Sequence, residues 1–162
     1  VAATPMGSDE LITMGLRAAP KIVTFAIYDS TEQNVLNVED IVVPAAFEWP
    51  QALKYVRGNV LDIMREYGVV RAGVRTSETV AQRPSVDRMQ IEGVLQEAFA
   101  SSTLEAYFAG PISVMAAKLG IVRTAVLPMI KQGRNELDIE GWDDMSEARR
   151  EAVLCAIGAV NA

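Results

Sequence analysis

The sequence predicts an α/β domain built on a mixed five-stranded sheet flanked by helices. Three observations lead there. Three short apolar, β-branched stretches follow one another near the N-terminus, joined by tight turns, as in an antiparallel meander. Helical and strand patterns then alternate, which calls for parallel strands joined by crossovers. The chain has 162 residues, half of them hydrophobic, enough to bury a sizeable core as one domain.

The elements follow in order. Residues 11–18 form the first strand, 21–28 the second, and 35–43 the third, which Pro44 ends. The polar run Asp29–Gln33 is the turn between the second and third. Residues 51–67 form a helix, because Leu53, Val56, Val60, Leu61, Met64 and Tyr67 recur on one face. Pro50 suits its first turn and Gly68 its stop. Residues 69–76 read as a buried strand and 77–85 as a loop ending in a helix cap, Ser85. A helix over 86–99, a short strand over 104–108 and a helix over 111–119 follow. Residues 121–131 stay unassigned, because Pro128 interrupts them. Residues 132–144 form a polar loop, and 146–160 a final helix capped by Ser146. Residues 1–9 read as a disordered or tag-derived N-terminus, with residues 10–162 as the single domain.

Composition removes several kinds of chemistry. There is no histidine, so Ser-His-Asp and Cys-His catalysis and histidine ligation are excluded. Cys155 is the only cysteine, so there is no internal disulfide and no cysteine metal site. Its apolar neighbours place it on a buried helix face, and a reducing, cytoplasmic setting is expected. No run of about 18 apolar residues exists, so no membrane span is expected. The net charge of −6 gives no global attraction to nucleic acid, although local basic patches remain open.

This order of elements resembles the RNase H-like fold, and in particular the RuvC-type Holliday-junction resolvases. Their opening hairpin carries a glycine, an aliphatic residue and a catalytic aspartate; here the corresponding run is Gly15-Leu16-Arg17, continued without a gap through residues 18–28. Their fourth strand ends in a catalytic glutamate, and the similar strand here ends at Arg75. Gln90-Ile91-Glu92-Gly93 is similar to a Gln-x-x-Gly of the next family helix. Residues 147–157 resemble the last family helix, which carries an aspartate pair. Kinases of the wider actin-like group share the opening hairpin.

The resemblance implies a reaction run by two divalent ions held by four carboxylates, which suits Mg²⁺. Arg17 and Arg75 stand at two of those positions, and an arginine cannot ligate a metal. Two guanidiniums about 6 Å apart repel by about 3 kcal/mol at an effective dielectric near 20. Glu147 and Glu151 share a face of the last helix and are expected to pair with them, turning a metal site into a salt-bridged plug. The plainest reading is two ion-paired strand-end arginines. A functional one is an anion pocket for nucleic acid, helped by Lys21, Arg71, Arg83 or Arg88.

The expected protein is thus a catalytically degenerate resolvase-fold protein without metal or cofactor, which binds nucleic acid or a partner protein. An alternative register keeps an active Mg²⁺-dependent endonuclease open, using Asp29, Glu78, Asp143, Asp144 and Glu147. A third reading is an acidic protein-interaction module. The resemblance also implies a homodimer through helix 86–99, which offers Val86, Met89 and Gly93. Trp49 and Trp142 either cover the core or anchor a partner, and Met89, Met115 and Met129 are expected to fill the core.

Overall fold

The computed structural model describes residues 11–78 and 83–162. Residues 1–9, read above as a disordered or tag-derived N-terminus, and residues 79–82 of the 77–85 loop lie outside them.

The elements are β1 (Ile12–Arg17), β2 (Ile22–Asp29), β3 (Asn34–Val42), α1 (Trp49–Tyr67), β4 (Arg71–Arg75), α2 (Val86–Ser101), β5 (Ala106–Gly110), α3 (Ile112–Leu119), α4 (Arg123–Lys131) and α5 (Glu147–Gly158). The strands form a five-stranded sheet in the order β3-β2-β1-β4-β5. β1, β2 and β3 pair antiparallel, and β4 and β5 add in parallel to β1. This is the mixed α/β sheet expected from the sequence.

The twofold alternation of strand side chains sets what lies on each face. Ile12, Met14 and Leu16 of β1 and Ala72 and Val74 of β4 pack with Val56 and Val60 of α1 and Ile91 and Leu95 of α2. The other face of β1 and β4 carries Thr13, Gly15 and Arg17 beside Arg71, Gly73 and Arg75 in register. Helix α5 lies on that face, with Ala152, Val153, Cys155 and Ala156 buried beside Met115, Val126, Met129 and Trp142. Its approach depends on Gly15, where a Cβ would fall 1.9 Å from the Ala152 carbonyl oxygen and 2.2 Å from the Ala156 nitrogen. Thr13 Oγ1 then donates to the Ala156 carbonyl at 2.6 Å inside the core.

The expected caps form: Ser85 Oγ accepts from Arg88 N–H at 3.2 Å and Ser146 Oγ from Arg149 N–H at 3.3 Å. Three expectations need correction. The strand read at 104–108 runs two residues later, because Thr76 N–H donates to the Gly110 carbonyl and Pro111 ends the ladder. The unassigned stretch is α4, with Pro128 in its interior. Five residues of α4 precede Pro128, and its missing N–H costs the helix a single ladder bond, to Thr124. Met89 does not fill the core: it lies half exposed on the outer side of α2, while Met115 and Met129 are buried.

Trp142, read as a loop residue, is buried in a short 3₁₀ turn under the Arg150 guanidinium. Trp49 packs against the α1–α2 core and its indole N–H donates to Gln90. Among the described residues no single helix is long and apolar enough to cross a membrane.

Candidate functional site

β1 and β4 run in parallel and end side by side, so Arg17 and Arg75 are register neighbours on adjacent strands, which lie about 4.8 Å apart. Both point to the α5 side, where the strands carry glycine one step earlier. Two like charges at that spacing need a counterion, and α5 supplies it. The Glu151 carboxylate, whose side chain is only 4% exposed, lies between them. Its Oε1 accepts from Arg75 Nη1 at 3.2 Å, and its Oε2 is 3.4 Å from Arg17 Nε.

The cluster extends through α2. Arg88 Nη2 lies 3.9 Å from Glu151 Oε1, and Arg88 Nε donates to Glu92 Oε1 at 3.2 Å. Glu92 is buried and also accepts from both the backbone N–H and the hydroxyl of Ser77 at 2.7 Å. Glu78 closes the other side: its Oε1 is 3.8 Å from Arg75 Nη2 and accepts the Ile112 N–H at 3.0 Å. A carboxylate there satisfies one free N–H of the first turn of α3. Arg17, Arg75 and Arg88 thus face Glu78, Glu92 and Glu151, and the formal charges balance. Three buried donors of the cluster, Arg17 Nε, Arg75 Nε and Arg88 Nη2, find no hydrogen-bond acceptor among the described residues.

Cys155 lies one turn beyond Glu151 on α5. Burial, and then the charge of Glu151, push its thiol far above the usual range, so it stays protonated. Its Sγ rests 3.5 Å from Met115 Sδ.

The remaining residues singled out in the sequence divide by place. Glu147 is exposed and makes no ion pair among the described residues, so of the two acids expected to face the arginines only Glu151 does. Lys21 and Arg83 are exposed. Arg71 is at the other end of β4, where it donates to the Val160 carbonyl at 2.5 Å and lies 3.9 Å from Glu105. There it caps the C-terminal end of the last helix, where a cation is favoured.

The acids of the alternative register do not come together. Asp29 pairs in register with Ile12, at the far end of β1 from Arg17. A strand of that length spans about 16 Å. The Asp29 carboxylate accepts the N–H groups of Thr31 at 2.9 Å and Glu32 at 3.3 Å, which makes it a turn residue. Asp143 and Asp144 are exposed in the 3₁₀ turn before α5. Among the described residues no group of three or more His, Cys, Asp or Glu could hold a metal ion. A two-metal centre therefore does not fit the side chains of the described residues.

Sequence reasoning missed Glu92 and Arg150. Glu92 stood inside the quoted Gln-x-x-Gly run, and its spacing of four from Arg88 was the available signal. Arg150 bonds the carbonyls of Trp142 at 3.0 Å, Ile130 at 3.0 Å and Asp143 at 3.2 Å, tying α4 and the 3₁₀ turn to α5. No local pattern announces such a residue. A separate cleft of about 880 Å³ opens between β3 and residues 137–140, and it contains none of the residues singled out.

No protein-family model matches the chain, and no curated protein matches its sequence. Solved structures do resemble it. A Thermus thermophilus RuvC structure superposes with a TM-score of 0.65 at 12% identity, over 93% of this chain and 94% of that one. T. thermophilus RuvC in complex with a Holliday-junction substrate gives 0.62 at 13% identity, over 93% of both chains. The order of elements, the sheet and these superpositions over nearly the whole length agree: the chain has the RuvC-like, RNase H-like fold.

Proposed function

We propose that this chain is a catalytically silent protein of RuvC-like fold that acts by binding nucleic acid without cleaving it. The observation that carries the reading is Glu151, closed between Arg17 and Arg75 at the ends of β1 and β4. Those strand ends are where the resolvase resemblance expects metal-binding carboxylates. Guanidiniums repel a divalent cation, and the one buried carboxylate between them is already neutralised. The arrangement therefore works as an internal ion-pair plug. Nucleic acid as the partner is supported by the fold it shares with a RuvC solved in complex with a Holliday-junction substrate. A second copy of this chain belongs to the same reading: α2 leaves Val86 64% and Met89 50% exposed on one side. Sedimentation that finds only monomer would remove that part.

The test is a cleavage assay on branched, duplex and single-stranded DNA and on RNA, with Mg²⁺ and with Mn²⁺. No cleavage is expected. Metal-dependent cleavage that disappears in Asp29→Asn or Glu78→Gln would overturn the reading in favour of an active nuclease. A melting experiment tests the assignment of the strand ends. Mn²⁺ should leave the Tm of the natural chain unchanged and raise that of an Arg17→Asp/Arg75→Glu variant, because a ligand that binds only the folded state stabilises it. Equal response of both chains to Mn²⁺ would count against the plug.

A further inference from the structure

The acidic balance of the chain is uneven. From residue 106 to residue 135 it carries Lys118, Arg123, Lys131 and Arg134 and no Asp or Glu, while the whole chain has a net charge of −6. This stretch holds α3 and α4, joined by Gly120, Ile121 and Val122, and the two helices meet at 99°. Two helices at roughly 90–120° joined by a turn of three or four residues with a glycine form a helix-turn-helix, whose second helix enters the major groove of duplex DNA.

The local sequence builds that geometry. Met115 and Ala116 of α3 and Val126, Met129 and Ile130 of α4 are buried in one cluster, with Ile121 of the turn packed against it. Gly120 has φ 69°, the left-handed conformation that side chains disfavour, and its N–H closes α3 on the carbonyls of Ala116 and Ala117. The chain can therefore turn sharply there and start α4 across α3. The inner side chains of α4 recur at three- and four-residue spacing, which leaves one face outside.

That outer face carries Arg123, Thr124, Leu127 and Lys131, all exposed. Neither Arg123, Lys131 nor Arg134 makes an ion pair among the described residues. The N-cap of α4 is Val122, which is 70% exposed and offers no side-chain acceptor, and the first turn carries no acid. The first turn of α4 thus has no side-chain cap, where Ser, Thr, Asp or Asn is the usual residue, although Ala125 N–H turns back to the Val122 carbonyl at 3.0 Å. Elsewhere in the fold the exposed arginines Arg57 and Arg65 stand beside acids, Glu97 and Asp62.

We propose that α3 and α4 form a helix-turn-helix that lays α4 in the major groove of duplex DNA. Arg123 and Thr124, in the first turn, meet base edges. Leu127 suits a thymine methyl group, and Lys131 and Arg134 meet phosphates on the groove wall. A-form RNA is a poor fit, because its major groove is too narrow and deep for a helix. The proposal rests on the nucleic-acid part of the function proposed above and is independent of whether the strand-end cluster is silent.

The experiment measures binding of the full chain to a fluorescent B-form DNA duplex over a range of salt concentrations. Arg123→Ala and Lys131→Ala are the variants, and Lys54→Ala, exposed on α1 across the sheet, is the control. These side chains are at the surface, and melting curves check that the variants stay folded. Arg123→Ala should weaken binding about tenfold, and 7-deazaguanine in the duplex, which removes the N7 acceptor in the major groove, should weaken it too. Lys131→Ala should lower the salt dependence by about one phosphate contact. Lys54→Ala should bind as the natural chain does, and duplex RNA should compete poorly. No salt-dependent binding to duplex DNA, unchanged binding in both α4 variants, or equal competition by duplex RNA would each overturn the proposal. Cleavage together with α4-dependent binding would sink only the silent-site reading, whereas α4-independent binding without cleavage would sink only this one.

Discussion

Two arginine–glutamate contacts in this molecule differ in distance and differ in the opposite sense in what they do. Arg57 Nε and Glu97 Oε2 meet at 2.5 Å across α1 and α2, with side chains 41% and 53% exposed. Arg75 Nη1 and Glu151 Oε1 meet at 3.2 Å under α5, with Glu151 almost wholly buried. When the first pair breaks, water solvates both partners, and salt screens them even while they are together. When the second breaks, a charge is left inside the protein without a partner. The shorter contact is therefore the weaker contributor. Desolvation, not separation, decides the consequence.

The largest effect is expected where the buried contact is assembled. Glu151 reaches Arg17 and Arg75 because α5 lies directly on β1 at Gly15, with main-chain atoms of Ala152 and Ala156 where a Cβ would go. Those atoms belong to helix backbone and cannot give way singly. Gly15→Ala should push α5 outward, separate the cluster and cost about 4–5 kcal/mol, at the upper end for a single substitution. Urea denaturation measures it, and a loss below about 1 kcal/mol would mean that α5 shifts freely and that Gly15 does not hold the cluster closed.

Next comes Glu151→Ala, which leaves Arg17 and Arg75 as adjacent cations. It should cost about 3 kcal/mol, the lower part of the range for a broken buried pair, because Arg17 keeps some access to water. Replacing both strand-end arginines and their acids, Arg17→Met/Arg75→Met/Glu78→Gln/Glu151→Leu, leaves Arg88 paired with Glu92 and removes the desolvation penalty along with the attraction. That variant should lie within about 1 kcal/mol of the natural chain. If it is as unstable as Glu151→Ala, the cluster contributes through its shape or its hydrogen bonds and not through charge balance.

The fold was largely legible because its signals are local and periodic. The apolar stripe of α1, the alternating strands and the caps at Ser85 and Ser146 each need only a few neighbouring residues to be read. The pairing of Arg17 and Arg75 with Glu151 was legible only by resemblance, since it joins β1 and β4 to a helix some 75 residues beyond β4. Glu147 was assigned with Glu151 because both share a helix face. The start of α5, however, projects past the strand ends and leaves Glu147 in water. Glu92 and Arg150 bind main-chain groups remote in sequence, Ser77 N–H in one case and the Ile130 carbonyl in the other, so composition could not reveal them. Pro128 hid α4, because an interior proline argues locally against a helix, whereas the burial of Val126, Met129 and Ile130 that holds α4 is a tertiary effect.

The smallest effect belongs to the exposed pair, and its pH dependence sets it apart from the buried one. The hydrogen bond from Arg57, and after it the one from Ser101, hold the Glu97 carboxyl below its ordinary range. A carboxyl depressed in the folded state adds stability above its unfolded pKa, near 4.3, and loses it as the pH falls through the folded value. Glu97→Gln should therefore lower the Tm slightly at neutral pH and low salt, and the two chains should converge both in acid and in high salt. The deficit of Glu151→Ala should respond less to salt, since Arg75 is mostly buried beneath α5 and buried charges are screened less. Equal salt sensitivity of the two variants would show that water reaches both pairs alike, and the contrast between them would collapse.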